Sequence, residues 1–273
     1  MTPTGLMKTS PFFGTYYFSD IISGILEDPL EFMLTLSEPL GEIAVVARDA
    51  SFPKRTALHQ FAAVIIEGQF WESDVDHFET TPSERIGFER RFVPGEFPRS
   101  TLWIETALRR YNLEFEPFDG WDDQPGGHSS DILYEWYQEL RLTEAYDRLI
   151  ATMSDEVFAI LFANRRVLFA LNDLIADKVT AAGPVARSRP PAWAKRAVFF
   201  RDRGKCTTCF RDLSGTLSTE GLSHFDHVVP LIASGVNDLT NLQLMCAPCN
   251  VAKAGKIGTS PFAYEPWFDA NEY

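Results

Sequence analysis

The sequence predicts an α+β protein, in which a mostly helical acidic region is followed by a small, cysteine-stapled unit of two short strands and a helix. Three observations predict it. All four cysteines of the 273 residues fall as two Cys-x-x-Cys pairs, Cys206/Cys209 and Cys246/Cys249. Charge reverses along the chain: residues 1–185 carry 15 basic against 30 acidic side chains, residues 186–257 carry 10 against 5, and residues 258–273 carry 0 against 3. Apolar residues recur at helical spacing before the reversal and in short runs of strand length after it.

Taken in order, residues 41–46 read as a short strand, and 57–70 and 101–111 as helices. The stretch 92–127, with several Pro, Gly and acidic residues, reads as loop where it is not helical. Ser130 heads one or two helices through Ile132, Leu133, Trp136, Leu140, Tyr146 and Leu149. Residues 155–179 form a helix introduced by Ser154, with Asp155 and Glu156 in its first turn and Val157, Ile160, Leu161, Val167, Leu168, Leu171 and Ile175 at helical spacing. Asp74, Asp76 and His77, with Glu72 and Glu79, read as a solvated charged turn, and His59 as structural. Gly183-Pro184 and Pro190-Pro191 punctuate the point of charge reversal, so residues 183–191 are a linker between an acidic domain, 1–182, and a second domain, 192–273. Beyond it, a helix over 192–203 delivers Cys206, residues 225–231 and 242–245 are short apolar runs, and 250–256 form a helical turn or two closed by Gly255.

With 45% hydrophobic and 23% charged residues, the composition is that of a globular rather than a disordered chain. Residues 1–14 lack the cationic stretch and apolar core of a secretory signal, and no apolar run is long enough to span a bilayer. A cytoplasmic setting is therefore expected, where thiols stay reduced and available for metal. The net charge of −13 opposes polyanion binding by the chain as a whole, but the positive charge gathers on the cysteine-bearing segment, where such a partner would dock. The acidic region is then free to recruit a protein partner, to form homo-oligomers, or to shield the basic face.

Zinc takes four tetrahedral soft ligands, and a two-residue gap lets one turn present two thiolates, so Cys206, Cys209, Cys246 and Cys249 complete a closed structural Zn2+ site. Between and after the pairs stand Asp226-His227-Val228-Val229-Pro230-Leu231, Gly235, Asn241-Leu242-Gln243-Leu244, Asn250 directly after Cys249, and Lys253. In this order, over about residues 191–257, these elements resemble an HNH endonuclease. The resemblance implies a ββα-metal finger that uses one divalent cation, commonly Mg2+ or Mn2+, to hydrolyse a phosphodiester bond, and it favours DNA over RNA as the nucleic-acid partner.

The residue chemistry agrees with that implication. His227 is the side-chain type that accepts a proton near neutrality, as a general base must. Asp226 offers a hard oxygen to a hard cation, and Asn250 a neutral one. Asn241 matches the middle Asn of the family, whose part is to fix the loop that aims the base. Lys253 and Lys256 are candidates to hold phosphate. The chain departs from the family in having Asn250 where His is frequent and Phe210 where Gly is frequent. His224 reads as an ordinary loop histidine in preference to an extra ligand or substrate contact. The competing reading is a non-catalytic zinc module that binds nucleic acid or protein, and a role in bacterial defence against foreign DNA would suit a nuclease of this organisation.

Overall fold

A computed structural model describes residues 14–89, 101–121, 130–179, 185–215 and 223–257. Their elements are α1 (Thr15–Glu27), α2 (Met33–Asp49), α3 (Ala57–Glu89), α4 (Trp103–Arg110), α5 (Ser130–Leu140), α6 (Glu144–Leu161), α7 (Arg165–Val179), α8 (Ala192–Arg201), β1 (Ser223–His227), β2 (Leu242–Cys246) and α9 (Ala247–Lys253). This is the α+β architecture expected: mostly helical, with one two-stranded antiparallel sheet towards the C-terminal end. No helix among the described residues is long and apolar enough to cross a membrane.

Three local expectations are corrected. Residues 41–46 lie within α2, because Leu40, Ile43, Ala44 and Ala47, all buried, repeat at the three- and four-residue intervals of a helix. The helix over 155–179 divides into α6 and α7. Ser154 is interior to α6, donating its hydroxyl to Ile150 O at 2.6 Å, while Asn164 Oδ1 accepts from Arg166 N and Val167 N at 3.1 and 3.3 Å and so starts α7. The acidic cluster near Asp74 is no turn but part of α3, and parts of the stretch 92–127 fall outside the described residues.

The chain divides into two compact units, Met1–Phe18 with Ala62–Val157, and Ser19–Phe61 with Phe158–Tyr273. In the first, Asp74 sits one turn from Phe70 and from Phe78, on the same fully buried stripe. Its carboxylate accepts Trp103 N at 2.5 Å, Ile104 N at 3.2 Å and the Tyr137 hydroxyl. It therefore caps α4 from another helix. Burial raises its pKa to about 6 against the pull of those donors.

In the second unit, residues 19–61 and 158–179 group with the cysteine-bearing segment, across the expected linker. The reason is polar as well as apolar. Phe52 joins Ala194, Val198, Leu213, Leu239, Leu242, Leu244 and Met245 in one core. Asp238, fully buried, accepts Thr240 N, Thr240 Oγ1 and, across 181 residues, Ala57 N at 3.0 Å. Asn172 of α7 donates to Thr240 Oγ1 at 3.1 Å. The start of α3 is closed by a capping box with an imidazole in the usual Glu position: Thr56 N donates to His59 Nδ1 at 3.0 Å, and His59 stacks on Phe158 at 4.0 Å. Burial, then Arg55, lowers His59 to a pKa of about 4, so the ring is the neutral acceptor this cap needs.

Candidate active site

The site begins where α8 stops. Asp202 takes a bidentate pair from the Arg201 guanidinium at 2.8 and 2.9 Å and accepts Leu244 N at 2.9 Å, which ties the helix end to β2. Positive φ at Arg203 and Gly204 turns the chain back, and Leu213 N donates to Gly204 O at 2.7 Å. Within that hairpin Cys206 N donates to Arg211 O and Phe210 N to Cys206 O, both at 2.9 Å, a tight knuckle that carries Cys206 and Cys209. Phe210 adopts φ 58°, the left-handed geometry for which Gly is the usual residue. The turn is thus made with the glycine conformation at a cost of about 1–2 kcal/mol.

The second pair is presented by the end of β2 and the first turn of α9. All four sulfur atoms lie within 4.8 Å of one another, and Cys209 Sγ is 3.7 Å from Cys246 Sγ. Tetrahedral zinc with bonds of about 2.3 Å separates its sulfurs by about 3.8 Å, so the donor set fits that ion. Burial raises Cys206, but the backbone N–H groups of Cys209, Cys246 and Thr208 outweigh it and bring the thiol to about 7. Burial and the neighbouring sulfurs push Cys249 well above the ordinary thiol range. A cation at the centre removes the repulsion that holds the last proton on.

β1 and β2 pair antiparallel, with Asp226 opposite Gln243, His224 opposite Met245, Phe225 opposite Leu244 and His227 opposite Leu242. Alternation sets His224 and Asp226 on one face of β1, and the α9 side chains meet them there. Lys253 Nζ lies 2.9 Å from Asp226 Oδ2 and donates to His227 O at 2.7 Å. Gln243 Nε2 donates to Asp226 Oδ2 at 3.2 Å and is itself held by Thr207 Oγ1, next to Cys206, at 3.3 Å. Asn250 Nδ2 is 3.1 Å from His224 Nδ1. Lys253 and Asn250 of α9 therefore meet Asp226 and His224 on one face of β1, with Gln243 of β2 beside Asp226.

His227 ends β1 and is buried, only 4% exposed. Its Nε2 has no hydrogen-bond partner among the described residues. Burial, the largest influence, lowers its pKa to about 4, opposed by Asp226 and by a hydrogen bond from the ring to the Asn237 side chain, and assisted by Arg187 and Lys253. At neutral pH the ring is uncharged. The loop that follows is held by Asn241, itself fully buried: Val229 N donates to its Oδ1 at 2.8 Å, and its Nδ2 donates to Val229 O and Val236 O, each at 3.0 Å.

The lysines part company. Lys253 spends its ammonium on Asp226 and the His227 carbonyl and is 4% exposed, rather than facing solvent as a phosphate contact would, whereas Lys256 is exposed. The sequence gives no role to Gln243, which stands within the Asn241–Leu244 element, to His224, which lies in β1 rather than in the loop expected, or to Asn237. The first two carry a signal, since a two-residue strand period sets them beside Asp226 or opposite it. Asn237, which donates to Ala186 O at 2.7 Å and accepts Ser188 N at 3.3 Å, carries none. Its partners come from 49 and 51 residues away.

Residues 206–256 match the family model described as HNH endonuclease. That span holds the whole group, from the first cysteine pair to Lys256. No curated protein and no solved structure matches the chain.

Proposed function

We propose that this protein is a divalent-cation-dependent endonuclease that hydrolyses phosphodiester bonds in DNA, with His227 as general base. The observation that carries the reading is the imidazole itself: neutral, buried, with Nε2 unpartnered among the described residues, directly after a carboxylate that α9 and β2 hold in place. Cys206, Cys209, Cys246 and Cys249 would hold a structural zinc that fastens the first knuckle to β2 and α9, and such ions contribute about 10–16 kcal/mol of apparent binding energy that doubles as folding energy. Asp226 and Asn250 would be the hard-oxygen donors for Mg2+ or Mn2+. When bound, that cation stabilises charge on the phosphoryl and leaving oxygens.

His227 Nε2 takes a proton from water as the water oxygen bonds to phosphorus. The P–O3′ bond breaks, O3′ is protonated by solvent, and 5′-phosphate and 3′-hydroxyl ends result. Asn241 holds the 228–236 loop and so fixes the direction of His227. Lys253, held on Asp226 Oδ2 and the His227 carbonyl, anchors the strand end. Lys256, exposed and in the basic segment, is the phosphate contact. The acidic excess before residue 186 suits a region that recruits a partner or regulates access to the basic segment.

The test is plasmid nicking in Mg2+ or Mn2+ by wild type and His227→Ala at equal zinc content and equal folded fraction. Loss of a general base lowers the rate by about 10²–10⁴-fold. Undiminished cutting by the variant removes His227 from the mechanism, and duplex binding without cleavage under any cation returns the protein to a zinc binding module.

A further inference from the structure

We propose that His224 is a positioning residue of the cation site: its Nδ1 holds the Asn250 carboxamide by the nitrogen, so that the amide oxygen is the atom offered to a divalent cation. The inference rests on the reading of Asn250 as a cation ligand given above. Asn250 Nδ2 lies 3.1 Å from His224 Nδ1. An amide nitrogen only donates, so Nδ1 accepts and the ring proton resides on Nε2. The oxygen at the other end of the planar carboxamide takes no hydrogen bond from the described residues.

Without a partner the carboxamide is free to turn, because the terminal torsion of Asn is broad and roughly two-fold. Half of its orientations then aim NH2 at the cation. A hard cation accepts oxygen alone, so each such orientation is a lost ligand. The main chain of Asn250 is already fixed, one peptide bond from Cys249 in a knot of four sulfurs. Only the side-chain torsions remain to be set, and His224 is placed to set them. It stands two residues before Asp226, so the alternation of β1 puts it on the face that carries the other oxygen donor. The same strand thereby supplies one ligand and orients the second.

The experiment reads Mn2+ binding to the full-length, zinc-loaded chain through the loss of the free Mn2+ electron paramagnetic resonance signal, with no activity required. His224→Ala is expected to weaken binding by about 10–100-fold, the usual effect of removing a residue that orients a metal ligand. His224→Asn, whose Oδ1 takes the place of Nδ1, restores binding to within about threefold of wild type. In an Asn250→Asp background, where both terminal atoms are oxygen, His224→Ala changes binding by less than about threefold. Wild-type Mn2+ affinity in His224→Ala, with loss in Asn250→Ala, overturns the positioning role and leaves the nuclease reading standing. A His224→Ala loss of full size in the Asn250→Asp background also overturns it, since His224 would then touch the ion itself. Unchanged binding in Asn250→Ala removes that residue as a ligand, and the inference falls with it.

Discussion

Gly235→Ala is the substitution whose effect the geometry fixes most closely. A Cβ on Gly235 would stand 1.9 Å from Val229 O, 2.7 Å from Val229 C and 3.0 Å from Asn241 Nδ2. Carbon and carbonyl oxygen ordinarily approach no closer than about 3.3 Å, so the two backbone segments must separate by roughly 1.4 Å. Val229 O is the atom to which Asn241 Nδ2 donates at 3.0 Å, and Val229 N donates to Asn241 Oδ1 at 2.8 Å. A separation of that size breaks both bonds. Val229 and Asn241 are fully buried, so the freed groups find no water, and each unsatisfied group costs about 1–3 kcal/mol. A loss of roughly 2–5 kcal/mol is expected in urea unfolding monitored by circular dichroism. Val229 is two residues from His227, and a displacement near 1 Å at a catalytic group lowers the rate by about 10²-fold. Nicking is therefore measured at a temperature where the variant is folded and carries zinc. Gly41→Ala is the control: its Cβ meets nothing within 4 Å inside α2, and replacing a helical Gly is expected to stabilise by about 0.5–1 kcal/mol. Wild-type stability and cutting in Gly235→Ala would refute the claim that the Asn241-held loop aims the base.

Asp238→Ala orphans three buried donors, Thr240 N, Thr240 Oγ1 and Ala57 N, and is expected to cost about 3–5 kcal/mol in urea unfolding, with Asp238→Asn milder because one oxygen remains to accept. His59 binds its proton less tightly in the folded state, at a pKa of about 4, than at its unfolded 6.5, so its contribution is full above pH 6.5 and is lost as pH falls towards 4. From pH 7 to pH 5 wild type should thus lose about 2 kcal/mol more than His59→Gln, whose amide oxygen still accepts Thr56 N; equal losses would mean that the ring is not held neutral. Cys249→Ser should remove stoichiometric zinc, measured by mass spectrometry or a chromogenic chelator, and with it the cutting activity, although Cys249 touches no substrate; a zinc-free variant that cuts normally would separate the knot from the site.

How much was legible in advance follows from the range of each interaction. The metal knot was legible because Cys-x-x-Cys is a local geometry, and two such turns need only meet. The helices at 130–140 and 192–201 show in the sequence through short-range apolar spacing, whereas 41–46 reads as a strand and folds as helix, since six residues rich in β-branched and small apolar types do not distinguish a strand from a buried helix face. Asp74 reads from the sequence as part of a solvated charged turn because nothing local reveals that Trp103 N and Ile104 N will point at it. Lys253 shares that history: three residues from Asn250 it promises a phosphate contact, and only the fold supplies Asp226 and the His227 carbonyl as its partners.

By itself the sequence determined the chemistry available to this protein: four thiolates at zinc spacing, an Asp-His pair, an Asn welded to the last cysteine, and positive charge on the segment that bears them. These follow from residue identity and from separations of one to three peptide bonds, which folding cannot alter. Tertiary structure decided which groups are charged, which are spent and which stay free. It gave Lys253 to Asp226, left His227 Nε2 without a protein partner among the described residues, and set His224 against Asn250. It also drew residues 19–61 into the unit of the cysteine knot through Phe52 and the Ala57–Asp238 hydrogen bond. Desolvation and hydrogen bonds across 26 to 181 residues make those decisions, and their energies exist only once the chain has closed on itself.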